Sequence, residues 1–308
     1  MNSFEAYKIT KEYQAKSVLS PDEEFMLIEA YMCIINEYKD ADPEEEIDGY
    51  VAMYNLASLY KRREEYDLAL KYFEMCSRNG GGALADMEIA DIYFNGLTGV
   101  NDYKKAFTCY SSAAEKGFPK AKLRLADMYK RGLYVEQDEE TYRKLIFSVY
   151  DQIWDSPVSN YKGEVFFKVA KIYFEEGFDD DGFELLLTAQ GELEDQMTLY
   201  TEKDDLDLMK DLIEYQYDLM QPVIDENWEF QLYDLYYILK EPVSIEFSSS
   251  SGMHYVSSAR EPSGITVELD GKWYHSIDDF FYRATVDGER LPAICKDLLD
   301  FKIIRPEI

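Results

Sequence analysis

IADIYFNGLTGVNDYKKAFTCY (Ile89–Tyr110) and LADMYKRG (Leu125–Gly132) open in the same way: aliphatic, Ala, any residue, aliphatic, Tyr. Two further stretches share the pattern, LASLY at Leu56–Tyr60 and VAKIY at Val169–Tyr173. Their alanines, Ala57, Ala90, Ala126 and Ala170, are spaced by 33, 36 and 44 residues. Self-similarity at such periods marks a stacked array of helical hairpins, because one hairpin alone cannot bury its apolar face. Alanine lets two helices approach closely, and the aromatic beside it fills the remaining gap.

A second helix follows the first. Ala69 and Phe73 lie 12 and 16 residues beyond Ala57, whereas Ala106 and Tyr110 lie 16 and 20 beyond Ala90. The small positions continue as Cys76 and Ala113, and the closing glycines are Gly80 and Gly117. The second unit thus carries four extra residues between its helices, in the loop GLTGV. Asp102 is placed to cap its second helix and Gly117 to end it in the left-handed conformation.

On IADIYFNG, the following GV, Asp102, KKA at Lys104–Ala106, Tyr110, AAEKG at Ala113–Gly117 and Ala121, the chain resembles the Sel-one-like repeat family of the tetratricopeptide-repeat superfamily. The unit at Val51–Gly80 has the spacing of a plain tetratricopeptide repeat, and the unit from Lys168 fits it through Ala170, Tyr173, Gly182, Leu186 and Ala189. The unit from Leu125 keeps its first helix and loses the signature in its second. Alanine replaces the family's glycine at all four first-helix positions, and Cys109 replaces its tryptophan; these are size adjustments at packing sites. The resemblance spans roughly Val51–Glu194, about half the chain. It implies an α-solenoid and the role of an adaptor or assembly scaffold.

Four segments follow. Residues 1–48 read as N-terminal capping helices and a linker, DADPEEEID at Asp40–Asp48. In SPDEEFMLIEAYMCIINEY, Ser20 suits the N-cap, Pro21 the first helical position and Glu23 a capping box. Residues 49–194 form the array, and residues 195–241 an acidic helical cap, with Asp204–Lys240 helical in pattern around a break at Pro222. Residues 242–308 read as a small α+β module: strand VSIEF, a flexible loop at Ser248–Gly252, the hairpin ITVELDGKWYHS, a helix capped by Ser276, and a helix in LPAICKDLLDFKI ending in a short strand. Asp270-Gly271 signals a type I′ turn. Counting outward from it, Val267 faces Tyr274, Glu268 faces Trp273 and Thr266 faces His275.

The net charge of −30, from 62 acidic and 32 basic residues, argues against nucleic acid or an anionic membrane as partner. The distribution is uneven. Lys104–Arg131 holds eight basic residues against two acids, and Glu136–Glu241 holds 28 acids against eight basic residues. The start, MNSFEAYKITKEY, has no basic segment leading into an apolar core, and no run approaches the ~18 apolar residues of a membrane span. A cytoplasmic protein is expected. Cys33, Cys76, Cys109 and Cys295 show no metal-type spacing and are expected as free thiols.

Neither histidine, His254 nor His275, sits in a catalytic motif. Gly80–Gly82 lacks the Lys-Ser/Thr of a phosphate loop. Asp179–Asp181 before Gly182 lacks the alternating ligands of a calcium loop. No catalytic residue, cofactor or metal is expected, and the chain reads as a non-enzyme. Its expected role is a protein-interaction scaffold or adaptor that holds a partner segment in the concave face of the repeats. Two alternatives stand beside it: an acidic inhibitor or immunity-type protein covering a basic toxin or enzyme, and an enzyme with its site in the C-terminal module.

With Ala and Tyr facing the second helix, residues one, four and five after each Ala turn toward the groove. They are Ser58, Lys61 and Arg62; Asp91, Phe94 and Asn95; Asp127, Lys130 and Arg131; and Lys171, Phe174 and Glu175. Lys61, Arg62, Phe94, Asn95, Lys130, Arg131, Lys171 and Phe174 are the candidate partner-binding residues. Cations and phenylalanines together suit an acidic or carboxylate-ended peptide.

Overall fold

The computed structural model describes residues 1–14, 16, 19–40, 49–153, 161–199, 203–220 and 231–304. These fall into two compact units, Met1–Val149 and Tyr150–Ile308. The linker beyond Asp40 and the break at Pro222 lie outside the described residues.

The first unit is helical throughout. Helices α1 (Ser3–Gln14) and α2 (Pro21–Asp40) form a hairpin ahead of the repeats. The capping box at the start of α2 is formed: the Ser20 amide donates to Glu23 Oε2 at 2.8 Å, and the Glu23 amide to Ser20 Oγ at 3.3 Å. Next come α3 (Gly49–Arg62) with α4 (Tyr66–Cys76), α5 (Gly82–Phe94) with α6 (Tyr103–Glu115), and α7 (Pro119–Arg131) with α8 (Glu139–Ile153). Leu27, Ala30, Tyr31, Ile34 and Ile35 of α2 share one core with Leu56, Ala57 and Phe73, so the first hairpin closes the end of the array.

Repeat alanines sit where close packing needs them: Ala57, Ala90 and Ala126 have no exposed surface, and neither does Ala170 in the second unit. In each hairpin the carbonyl of the repeat tyrosine accepts the amide of a residue at the start of the next helix. Tyr60 takes Glu65, Tyr93 takes Asp102, and Tyr129 takes Asp138. The span is five residues in the first case and nine in the other two, which accounts for the four extra residues of the second unit. It also restores the third. Asp138 caps α8 through the Thr141 amide at 3.0 Å, as Asp102 caps α6 through the Lys105 amide at 3.0 Å. Its turn is therefore built like that of the second unit, although its sequence signature is lost. Gly117 ends α6 at φ +85°. Gly80, at φ +103°, lies in a π-type turn over Ser77–Gly81, and a methyl group on Gly81 would fall on Cys76 Sγ.

In the second unit α9 (Lys162–Glu176) packs on α10 (Asp179–Leu199) as a fourth hairpin, with the Phe178 amide bonded to the Tyr173 carbonyl. A Cβ on Gly163 would lie 2.6 Å from Leu193 Cγ, so glycine is what lets these helices cross closely. Helix α11 (Lys203–Met220) follows. The helical pattern expected up to Lys240 reduces, beyond residue 230, to a 3-10 turn at Leu232–Asp234 and one turn of helix, α12 (Leu235–Ile238).

The C-terminal module contains β1 (Ser244–Ser249), β2 (Gly252–Glu261), β3 (Gly264–Leu269), β4 (Lys272–Tyr274), α13 (Ile277–Arg283), β5 (Thr285–Val286), β6 (Glu289–Arg290) and β7 (Leu299–Ile304). The main sheet is antiparallel in the order β4-β3-β2-β1-β7. Ile245, Phe247, Val256, Val267, Leu269 and Tyr274 are buried on one face, as period-two alternation requires. Phe280 and Phe281 of α13 are fully buried, and the Phe281 ring stacks on Tyr236 at 3.8 Å.

The type I′ turn is present, with Asp270 at φ +49° and Gly271 at φ +86°, and Val267–Tyr274 and Glu268–Trp273 pair as counted. Four expectations change. The ladder stops at Tyr274, so His275 does not pair with Thr266; its amide donates to Asp279 Oδ2 ahead of α13. Ser248–Gly252 is a tight β1–β2 turn, with Ser249 paired to Gly252. Strand β2 (Gly252–Glu261) has no counterpart in the sequence pattern. The helix expected in LPAICKDLL is a 3-10 stretch, Leu291–Asp297, because Pro292 and a non-helical Ile294 interrupt it, and the strand after it is six residues long.

All four cysteines are free, with Cys76 buried and the others half-buried. Burial pushes the Cys76 and Cys109 thiols up to about 11.

Candidate partner-binding site

The positions one, four and five after each repeat alanine behave differently from one another. At the fourth, every side chain is engaged. Lys61 Nζ pairs with Glu88 Oε2 at 2.7 Å, a carboxylate that also accepts from the Tyr54 hydroxyl. Phe94 packs edge-on to Tyr103 and Tyr110, with centroids at 5.6 and 6.1 Å. Lys130 pairs with Glu139 at 2.8 Å and lies 4.8 Å from the Tyr142 ring. Burial works against the Glu139 charge, but the Lys130 ammonium holds its carboxyl below the usual range. In the second unit Phe174 sits 4.9 Å from Phe183 and covers Gly182.

The position directly after the alanine is also inward in the second unit of the array. Asp91 accepts the Tyr110 hydroxyl at 2.6 Å, and burial raises its carboxyl above the usual range. Asp127 pairs with Arg124 at 3.4 Å within its own helix. Lys171 lies over Phe167 at 4.0 Å and Tyr215 at 4.9 Å. The helical-wheel expectation that Asp91 and Phe94 face away from the second helix is therefore corrected: both contact α6. The cause is the length of Tyr110 and Tyr103, which reach around α5 from the second helix.

What remains outward is the fifth position. Arg62, Asn95 and Arg131 are exposed. Arg131 lies 5.9 Å from the Phe94 ring, and Asn95 ends α5 while Asn101 caps the Phe94 carbonyl. Among the described residues neither Arg62 nor Arg131 makes an ion pair. Arg62 borders a cavity of about 370 Å³, together with Asn55 and Ser58 of α3 and with Tyr13, Lys16, Glu24 and Tyr31 of the N-terminal hairpin; Lys16 pairs with Glu23 at 2.6 Å and Glu24 with Arg63 at 3.5 Å. Repeat spacing places Ser58 and Arg62 in the groove. Tyr13, Lys16, Tyr31 and Asn55 were missed, because the repeat spacing says nothing about the hairpin packed in front of α3.

A larger cavity, about 560 Å³, opens along α4, α5 and α6. Its charges are mostly matched internally: Arg78 with Glu74 at 2.9 Å, Lys105 with Asp102 at 3.6 Å, and the buried Asp86 with Lys116 at 2.5 Å. Ser77 and Ser112 donate to the same Asp86 carboxylate, so this polar cluster ties the turn after α4 to α5 and α6. Among the described residues no group of three or more His, Cys, Asp or Glu side chains could hold a metal ion, and no helix is long and apolar enough to cross a membrane.

Comparison with known proteins bears on the hairpins. A family profile described as the Sel1 repeat matches residues 51–81, 83–118 and 119–141. No curated protein matches the chain. Among solved structures, a Sel1 repeat protein from Oxalobacter formigenes is similar at 14% identity and a TM-score of 0.47, over 69% of this chain and 77% of that one. A protective antigen present in uropathogenic Escherichia coli strains, displaying an SLR fold, is similar at 16% identity and a TM-score of 0.46, over 73% of this chain and 50% of that one. The profile covers the first two hairpins and, in the third, α7 and the first turn of α8; the rest of α8, where the sequence signature is lost, lies beyond the match. Between residues 51 and 141 the chain carries three successive stretches that match the Sel1 repeat profile.

Proposed function

We propose that the chain is an interaction protein of the cytoplasm, an adaptor or scaffold that binds an acidic or carboxylate-ended segment of a partner protein through its first unit. The reading rests on one observation above the others: Arg62 borders a 370 Å³ cavity and has no ion-pair partner among the described residues, in a chain of net charge −30. A guanidinium left unpaired among so many carboxylates is available as a bidentate donor for an incoming carboxylate. Arg131 offers a second. Lys61 and Lys130 contribute less, since Glu88 and Glu139 already neutralise them. The acidic surface elsewhere repels acidic proteins that cannot reach these arginines, which adds selectivity. Four free thiols accord with a reducing compartment.

Selection of random peptides with free C-termini on the purified chain tests this. Acid-rich or carboxylate-ended sequences are expected, and Arg62→Glu with Arg131→Glu should weaken them at least about tenfold, since a lost charge-assisted hydrogen bond is worth ~1.5–3 kcal/mol. Enrichment of basic or neutral peptides, or binding unchanged in the double variant, would contradict the proposal.

A further inference from the structure

The β1–β2 hairpin brings Ser249 and His254 together, and the β3–β4 turn adds Asp270 beside them. His254 Nδ1 lies 2.6 Å from Asp270 Oδ2, and His254 Nε2 lies 2.8 Å from Ser249 Oγ. An ionised carboxylate can only accept, so Asp270 places the proton of the neutral imidazole on Nδ1. Nε2 then carries the lone pair and accepts from the Ser249 hydroxyl. Asp270 is itself held: its other oxygen accepts the Tyr255 amide at 2.8 Å, and its φ of +49° is set by the type I′ turn. The imidazole stacks on the buried Phe247 ring at 5.3 Å, which fixes its plane. Ser249 is half-buried at the end of β1 and remains reachable from solvent. The Ser251 hydroxyl is the next nearest to Nε2, at 3.3 Å.

We propose that Ser249, His254 and Asp270 form a nucleophile, a general base and an orienting carboxylate, and that the C-terminal module cleaves esters or amides bearing a cationic group. Charge next to the turn sets that substrate class. Asp287 accepts the Ser250 hydroxyl at 2.9 Å and lies within hydrogen-bonding reach of the Ser249 and Ser251 hydroxyls as well, and Asp300 accepts the Ser248 hydroxyl at 3.0 Å, so two carboxylates stand at the nucleophile. They favour a positively charged acyl group and disfavour an anionic one.

In the reaction Ser249 Oγ bonds to the carbonyl carbon as its proton passes to His254 Nε2. The bond from that carbon to the leaving alcohol or amine breaks, and the leaving group departs with the proton. Water, losing a proton to the same nitrogen, then hydrolyses the acyl-serine and restores the hydroxyl. Ser249 and His254 are the catalytic residues; Asp270 acts through His254 and is a positioning residue.

The test uses the full chain and p-nitrophenyl p-guanidinobenzoate, a cationic ester that releases p-nitrophenolate on acylation. A burst approaching one nitrophenolate per chain is expected, with the acyl mass mapped to Ser249 on the unaltered protein. Ser249→Ala should remove the burst, and Ser263→Ala, in the exposed β2–β3 turn, should keep it. His254→Gln should slow acylation about 100-fold. Asp270→Asn should lower the maximal acylation rate without changing the half-saturating ester concentration, which a purely structural role would not produce. Neutral p-nitrophenyl benzoate should acylate at least tenfold more slowly. No adduct on Ser249, or an adduct formed equally fast without His254, overturns the nucleophile; equal rates for the two esters overturn the cationic substrate class. The mapping needs no variant, so a variant that fails to fold leaves the result decisive.

Discussion

Phe280→Ala should destabilise the C-terminal module by about 3–5 kcal/mol, the usual cost of deleting a buried phenylalanine ring. Phe280 has no exposed surface, and its ring meets Tyr274 edge-on at 5.6 Å and Phe281 at 5.2 Å. Those contacts join α13 to β4 and fill the space above the buried face of the sheet. A module of this size has a small core, so the loss is a large share of its stability. Guanidinium titration followed by near-ultraviolet circular dichroism should show the aromatic signal of the module collapsing at much lower denaturant. A destabilisation under about 1 kcal/mol would mean that Phe280 is not a core residue.

Ala90→Leu carries the second large effect. Ala90 has no exposed surface and shares its core with Met87, Ala106, Tyr110 and Ala121. Leucine adds three carbons where α5 and α6 pack closely. Overpacking of this kind costs about 1–3 kcal/mol, because the neighbours must leave their rotamers or the helices must part. In a unit of this length that corresponds to a fall in melting temperature of ~2–4 °C per kcal/mol. The Tyr110–Asp91 hydrogen bond lies beside the strained position, so the loss should fall at the upper end. An unchanged melting temperature would contradict the packing role given to the repeat alanines.

The sequence made some features legible and hid others for physical reasons. Helix caps and the type I′ turn were legible because each is decided within a few residues: Ser20 with Glu23, Asp102 with the Lys105 amide, Asp270 with Gly271. The repeat alanines were legible because burial at a helix crossing leaves a size requirement at fixed spacing. The outward faces were harder. A helical wheel orients a Cα–Cβ bond, but Phe94 and Asp91 are claimed by long aromatics arriving from α6. Strand β2 was missed because MHYVSSARE buries only Val256 and Ser258, and the serine satisfies its hydroxyl on the Glu241 carbonyl, so no apolar alternation shows. The serine-rich turn reads as flexible in the sequence because its ordering partners, Asp287 and Asp300, lie 37 and 52 residues away. His254 looked isolated for the same reason.

Binding by the first unit is tested most directly by backbone hydrogen exchange of the full chain, measured free and with a selected acidic peptide bound. Slower exchange is predicted at the C-terminal turn of α3, around Arg62, and in the facing turns of α1 and α2, with no change in the strands of the C-terminal module. Slower exchange confined to α9–α11 or to the β-sheet, with α3 unaffected, would contradict it.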